Sequence, residues 1–445
     1  MDFSTLLPQI GDLIFTLVSF IVALSIIVGV HEYGHYIVGR WSGIKADAFS
    51  IGFGPVLWSR FDKHGTKWQI AAIPFGGYVK FAGDANAASG VDTEVMEATP
   101  EAELRHTMHG APIWARAATV LAGPAFNFIF SIAVFTLLLL VIGVRATPPQ
   151  VSALYDLPPA RYTIAEGDVI LGIEGKPFPQ EETREYFAAL PAKQMLSYRV
   201  QRGADELDVM GPQYAPARIG MVQPRSAGEA AGLLEGDVIL TANGQKVERF
   251  QELIGIVGAA DGAPVKLTVW RKGAGEDLEF AIVPRLSDLP TEDNGFEKRW
   301  LIGISSSTFF EPTLETPSVK DALGAGVDKT FGVVTGSISA LYHLATGQIG
   351  RCNLSGAIGI ARASGHQAER GLADFIAFLA LLSTAVGFIN LLPVPMLDGG
   401  HLMFHAFEAV TRRKPSDKAM NVMMIMGLTV VLSFMLFGLS NDIFC

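Results

Sequence analysis

The chain has 445 residues, 49% of them hydrophobic and 18% charged, with a mean hydropathy of +0.33 and a net charge of −10. That length allows several domains, and so apolar a balance favours an integral membrane protein over a soluble enzyme. The acidic charge without a basic stripe excludes nucleic acid as a partner, and two cysteines, Cys352 and Cys445, are too few for a zinc cage or a disulfide framework and are read as incidental thiols.

The first twelve residues carry no Lys or Arg, and no small-residue cleavage site follows, so a cleaved signal peptide is not expected. Leu13 to Val30 are eighteen uncharged residues and open the first predicted span, which runs to about Val38. Its last turns hold His31-Glu32-Tyr33-Gly34-His35. Positions i and i+4 share a helix face, so both imidazoles can address one ion. Glu32 between them is placed to act as general base on water. Residues 1–45 form the first segment.

Residues 46–112 are a membrane-associated segment. AFSIGFGPVLWSRF and KWQIAAIPFGGYVKF read as two apolar, Gly-punctuated strands around a turn at 63–65. The edge of such a hairpin can take an unfolded peptide by strand addition, with Gly76 and Gly77 as expected substrate contacts; a merely capping hairpin is the alternative. Residues 84–104 are acidic and Ala-rich and read as a loose surface loop.

The second span (113–146) lies between Arg116 and Arg145, where no residue is charged. Beyond it Glu166-Gly167-Asp168-Val169-Ile170-Leu171 recurs as Glu235-Gly236-Asp237-Val238-Ile239-Leu240, an offset of 69 residues and therefore a domain-sized repeat. The second copy follows Ser226-Ala227-Gly228-Glu229-Ala230-Ala231-Gly232-Leu233, a texture that resembles PDZ domains. Residues 147–214 and 215–287 are accordingly expected as two PDZ-like domains, with ordinary β-rich spacers as the alternative. Residues 288–370 are expected as linker and interfacial helices, including the uncharged, Gly/Ser/Thr-rich stretch Phe331 to Gly350.

The third span (371–404) runs between Asp374 and Asp398, and a basic loop precedes the fourth span within 405–445. Arg40, Lys45, Arg105 and Arg116 flank the loop after the first span, and Arg412, Arg413, Lys414 and Lys418 the loop before the fourth. The excess of positive charge puts both loops in the cytoplasm and the segment 146–370 outside. The fold expected is a polytopic α-helical membrane protein of about four spans, with a β-hairpin region and two external β-rich domains.

Two histidines leave a catalytic zinc one protein ligand short. Asp398, at the cytoplasmic end of the third span, shares a predicted depth with His31 and His35, and an acidic group in a span is costly unless functional. His401 ranks second as the third ligand, because a helix-end His commonly pairs with a carbonyl.

H-E-x-x-H in the first span, Ala122-Gly123-Pro124-Ala125-Phe126-Asn127 in the second, and Asn390-Leu391-Leu392-Pro393-Val394-Pro395-Met396-Leu397-Asp398-Gly399-Gly400 in the third resemble the site-2 protease family of intramembrane zinc proteases. With the repeated insert, their order is similar to the bacterial regulator-of-sigma-E protease branch. Asn353-Leu354-Ser355-Gly356 is similar too, with Ala357 where that branch has Pro. The resemblance implies an intramembrane zinc endopeptidase of the inner membrane. It carries one Zn2+ per chain on His31, His35 and Asp398, with Glu32 as acid–base and Asn390 contacting substrate. Its implied partners are the lipid bilayer, single-span membrane proteins such as anti-sigma factors or leftover signal peptides, and an external protease that cuts first. Asn127 and Gly123-Pro124 read as packing and kink residues. The competing classes are a membrane-anchored PDZ scaffold with a structural or lost metal site, and a metal transporter, whose ligands would line the membrane path instead of clustering at one end.

Overall fold

The computed structural model describes residues 3–85, 92–158, 162–179, 184–291, 295–350, 354–413 and 416–444. Cys352, Asn353, Lys414, Cys445 and part of the acidic loop lie outside the described residues. The chain divides into two compact units, Met1–Val141 with Ser318–Cys445, and Ile142–Pro317.

The long helices of the first unit are α1 (Phe3–Trp41), α2 (Ile113–Ile142), α3 (Val319–Ala345), α4 (Ala357–Arg370), α5 (Leu372–Asn390), α6 (Asp398–Thr411) and α7 (Asp417–Phe444). Four are long and apolar enough to cross a membrane: α1 from Gly11, α2, α5, and α7 from Lys418. Leu13 and Val18 on α1, Leu137 and Val141 on α2, and Phe434 and Leu436 on α7 stay exposed on the protein surface. In a bilayer such side chains meet hydrocarbon, so apolar burial alone does not hold these helices together. Small and hydroxyl residues do. A Cβ on Gly34 would lie 2.4 Å from the Ala122 carbonyl oxygen, so α1 and α2 cross at backbone contact. Ser131 Oγ on α2 donates to the Ala380 carbonyl on α5 at 2.7 Å, and Ser383 Oγ on α5 donates to the Asn127 carbonyl at 3.2 Å.

Strands β1 (Ala46–Phe61) and β2 (Lys67–Phe81) form the predicted hairpin. Both strands bend, β1 at Gly52 with φ +90° and β2 near Gly76 with φ +116°. Ribbon 46–51 therefore pairs with 77–81 on one side and with 67–70 on the other, and 67–71 pairs in turn with 56–61. Ribbon 77–81 ends as an outer edge. Phe49, Val79 and Phe81 pack on Tyr36 of α1 and on Ala115 and Val120 of α2, which seats the hairpin at the end of α1 that carries the histidines. Asp62 binds the start of the turn. Burial pushes its carboxyl up, but donors from Tyr36 Oη, the His64 and Thr66 N–H groups and Trp68 Nε1 outweigh that and hold it at about 2.

Two expectations for this unit are corrected. The segment 371–404 is not one helix: α5 stops at Asn390 and α6 begins at Asp398, the break that the sequence places at Pro393 and Pro395, which supply no N–H and bar helix before them. The acidic loop is not loose throughout. It carries short helices at Thr93–Ala98, capped by Asp92 Oδ1 accepting from the Val95 N–H at 3.1 Å, and at Glu101–Leu104.

The second unit is β-rich and shows the repeat as geometry. Strands β3 (Val144–Arg145) and β4 (Val151–Leu154) precede a first sheet of β5 (Val169–Ile173), β6 (Lys176–Pro177), β7 (Met195–Arg202) and β8 (Asp205–Pro212), in order β6-β5-β7-β8. After β9 (Ile219–Val222), the strands β10 (Val238–Ala242), β11 (Gln245–Lys246), β12 (Val265–Trp270) and β13 (Leu278–Ile282) repeat that order as β11-β10-β12-β13. The buried Asp168 pairs with Arg202 at 2.7 Å, and 69 residues on the buried Asp237 pairs with Arg271 at 2.7 Å. Each Asp also caps its turn, accepting from the Ala165 or Leu234 N–H at 2.9 Å. The same charge clamp therefore closes both copies.

The first part of the expected linker is no linker. Strands β14 (Arg285–Pro290), β15 (Phe296–Leu301), β16 (Ile304–Ser306), β17 (Phe310–Pro312) and β18 (Leu314–Glu315) fill it. β14 and β15 form a hairpin; β16 pairs with β9, β17 with β4 and β18 with β3. Ile302 joins the core of the second copy and Phe309 and Phe310 that of the first, so this return segment completes both. Unpaired edges of β3, β4 and β9 are the physical reason: each needs a partner strand.

Candidate metal centre

His31 and His35 stand one turn apart on α1, as their spacing requires. Their Nε2 atoms lie 3.1 Å apart. Asp398, the first residue of α6, brings Oδ2 to 3.1 Å from His31 Nε2 and 3.5 Å from His35 Nε2. The three atoms form a nearly equilateral triangle. A tetrahedral ion about 2.0–2.1 Å from each ligand needs edges of about 3.3 Å.

The donor set fits a cation for a second reason. His35 Nδ1 donates to the Thr119 carbonyl of α2 at 2.8 Å. A neutral imidazole that donates from Nδ1 carries its lone pair on Nε2. His31 Nδ1 lies 3.2 Å from the Asn127 carboxamide, whose Oδ1 is buried and has no partner among the described residues; a half-turn of the amide lets that oxygen accept from Nδ1–H. Both Nε2 lone pairs then face Asp398 Oδ2, itself buried and without a hydrogen-bond partner among the described residues. Three acceptors facing one point without a donor repel unless a cation sits among them.

Glycines make this approach possible. A Cβ on Gly123 would lie 2.3 Å from His35 Nε2, and one on Gly34 would strike α2. The Asp-Gly-Gly that opens α6 folds against its own loop: Cβ atoms at Gly399 and Gly400 would lie 2.3 Å from the Leu392 oxygen and 2.5 Å from the Val394 oxygen. Met396 in that loop has φ +88°, a conformation costly for a residue with a side chain and held here by the packing around it. Gly427 of α7 completes the enclosure, since a Cβ there would overlap Pro395 O at 1.8 Å. On the other side of the site, Arg116 of α2 makes a two-pronged ion pair with Glu408 of α6 at 2.8 and 2.9 Å, and its Nε donates to the Ala111 carbonyl at 3.0 Å. The helix that presents Asp398 is thereby tied to the helix that supports His35.

A cavity of about 340 Å³ opens on the triangle, lined among others by Glu32, Gly77, Tyr78, Asn390 and His401. Of the residues predicted from sequence, His31, Glu32, His35, Asp398, Asn390 and Gly77 thus share one cavity. Gly76 does not line it; its φ of +116° makes it the bend in β2, packed on Phe53. His401 lines the cavity but lies outside the three-ligand group. Burial pushes the His401 imidazole down, and burial with the Arg116 charge takes His405, on the same wall, down to about 4. Sequence reasoning assigned Gly123 and Asn127 to packing and did not single out Thr119. All three touch His31 or His35.

The sequence profile of Peptidase family M50 matches residues 19–434. A relative from Agrobacterium fabrum whose name describes a zinc metalloprotease is 34% identical, over 99% of this chain and 98% of its own. The protein named Protease RseP of Yersinia pestis is 32% identical over 97% of this chain and 99% of its own, and that named Regulator of sigma-E protease RseP of Salmonella typhimurium 31% over the same shares.

Proposed function

The chain belongs to peptidase family M50 and is a zinc metalloprotease of the bacterial membrane, and from that premise we propose that it cleaves single-span membrane proteins within the bilayer. His31, His35 and Asp398 hold one zinc ion per chain. The observation that carries this reading is the triangle of His31 Nε2, His35 Nε2 and Asp398 Oδ2, with edges of 3.1, 3.1 and 3.5 Å and no hydrogen-bond partner for the buried Asp398 Oδ2 among the described residues. When bound there, zinc supplies Lewis acidity that acidifies water and polarises a carbonyl.

The chain's own groups do the rest. Glu32, on the cavity wall, takes a proton from the attacking water and delivers it to the leaving amine. Thr119 O and the Asn127 carboxamide keep the two imidazoles in the tautomer that leaves Nε2 free. Asn390 is placed to donate to the substrate backbone or to the oxyanion that develops on it. A helical substrate hides its scissile bond in hydrogen bonds and must unwind. Ribbon 77–81 offers it an edge: Gly77, Tyr78 and Val79 line the cavity, and an unwound segment added there as a strand lies beside the triangle.

The two repeats of the second unit act as external PDZ-like domains that select substrates already trimmed by another protease. Positive charge around the α1–α2 and α6–α7 connections supports a site near the cytoplasmic side of the inner membrane. Zinc analysis of the purified full chain tests the ligand set: wild type carries one zinc per chain and Asp398→Ala much less. Full zinc in that variant would refute the assignment.

A further inference from the structure

Where α1 ends, a second concavity of about 440 Å³ lies apart from the triangle. Arg40, Lys45, His64 and His106 line it, with Glu103 as its carboxylate. Arg40 Nη2 donates to His64 Nε2 at 2.6 Å and Nη1 to Tyr36 Oη at 3.3 Å, and neither of these partners is a carboxylate. Asp62, which Tyr36 also bonds, is filled by Trp68 Nε1 and the N–H groups of His64 and Thr66 and has little left for Arg40. The exposed Lys45 has a fixed backbone: its N–H donates to the His106 carbonyl, and its carbonyl accepts from the Ala82 N–H, both at 2.8 Å. His106 Nδ1 is anchored on the Gly43 carbonyl at 2.7 Å. The basic side chains thus converge on a preformed backbone frame.

The depth of this pocket is marked independently. Trp41 is 74% exposed where α1 ends and Trp114 61% exposed where α2 begins. His35–Thr119 and Gly34–Ala122 contacts put these ends at one level. Exposed indoles at the end of a span mark the membrane–water boundary, the level of lipid headgroups. A guanidinium, an ammonium and two imidazoles at that level are complementary to a phosphate.

We propose that this pocket binds a phosphate-bearing anion, as the headgroup of an anionic phospholipid or as free phosphate. The bound anion braces the end of α1, the helix bearing the H-E-x-x-H motif, against the β1–β2 turn through His64 and against the 103–106 segment.

Native mass spectrometry of the delipidated full chain, offered phosphatidylglycerol, phosphatidylcholine or inorganic phosphate, tests this. Wild type should retain phosphatidylglycerol over phosphatidylcholine, and Lys45→Gln should lower that preference about fivefold, with Arg40→Gln/Lys45→Gln abolishing it. Retained lipid that excess inorganic phosphate does not displace identifies the headgroup; phosphate bound in its place, and lost in the same variants, identifies the free anion. Zinc content and thermal unfolding of the variants check folding, and the exposed Lys45→Gln keeps the test valid if Arg40→Gln unfolds. Binding of neither anion, or equal binding in Lys45→Gln, overturns the proposal.

Discussion

Gly123 of α2 faces His35 of α1 so closely that a Cβ would stand 2.3 Å from His35 Nε2 and 2.8 Å from His31 Cε1. No rotamer of a larger residue fits without moving an imidazole. Gly123→Ala should therefore leave the helices intact by circular dichroism while zinc per chain and peptide cleavage both collapse. Full zinc occupancy in Gly123→Ala would contradict this geometry.

Asn127 acts through His31. Residues that bond the far nitrogen of a metal-ligating imidazole typically change metal affinity about 10–100-fold when removed. Asn127→Leu should raise the dissociation constant for zinc by that order in chelator competition, with a smaller effect on thermal unfolding of the metal-free protein. Unchanged zinc affinity would reduce Asn127 to packing.

The Arg116–Glu408 pair is about nine-tenths buried on both sides, with side-chain exposures of 9% and 13%. Removing one member of a buried pair strands the other, a loss of about 3–5 kcal/mol, whereas replacing both with apolar groups is often neutral. Glu408→Leu should lower the unfolding temperature in detergent, and Arg116→Met/Glu408→Leu should recover most of it. A double variant no better than the single one would show that the charge itself is needed.

Asp62 predicts a pH effect of definite sign. Its carboxyl titrates at about 2 in the folded hairpin against an ordinary 3.8, so the folded state prefers the anion. That stabilisation is complete above about pH 4 and disappears as pH falls towards 2. The unfolding-temperature difference between wild type and Asp62→Asn should be constant from pH 7 to 5 and shrink over that window. A difference that grows on acidification would reverse the assigned sign.

Where sequence spoke clearly, its signal was local. The i, i+4 spacing of His31 and His35 fixes which face of α1 carries the two imidazoles, and proline chemistry fixes the break before Asp398. The groups that bond those imidazoles are 84 and 96 residues away in the chain and could not be read from the motif itself. A signal did exist: Thr119, Gly123, Asn127 and Ser131 recur every four residues along a mostly apolar helix, and all four are buried. Such a stripe marks a face that meets protein and not lipid. Strands β16 to β18 left no comparable trace. They are two or three residues long, and pairing with β9, β4 and β3, far back in the chain, defines them more than any alternation of their own.

The central claim separates metal binding from proton transfer: three residues hold zinc, and Glu32 moves the proton. The most direct measurement is cleavage of a single-span membrane substrate by full-length Glu32→Gln in liposomes, with zinc quantified on the same preparation. The account predicts one zinc per chain and loss of cleavage by several orders of magnitude, about 10²–10⁴-fold for a positioned acid–base group. Cleavage at the wild-type rate by zinc-loaded Glu32→Gln would contradict it.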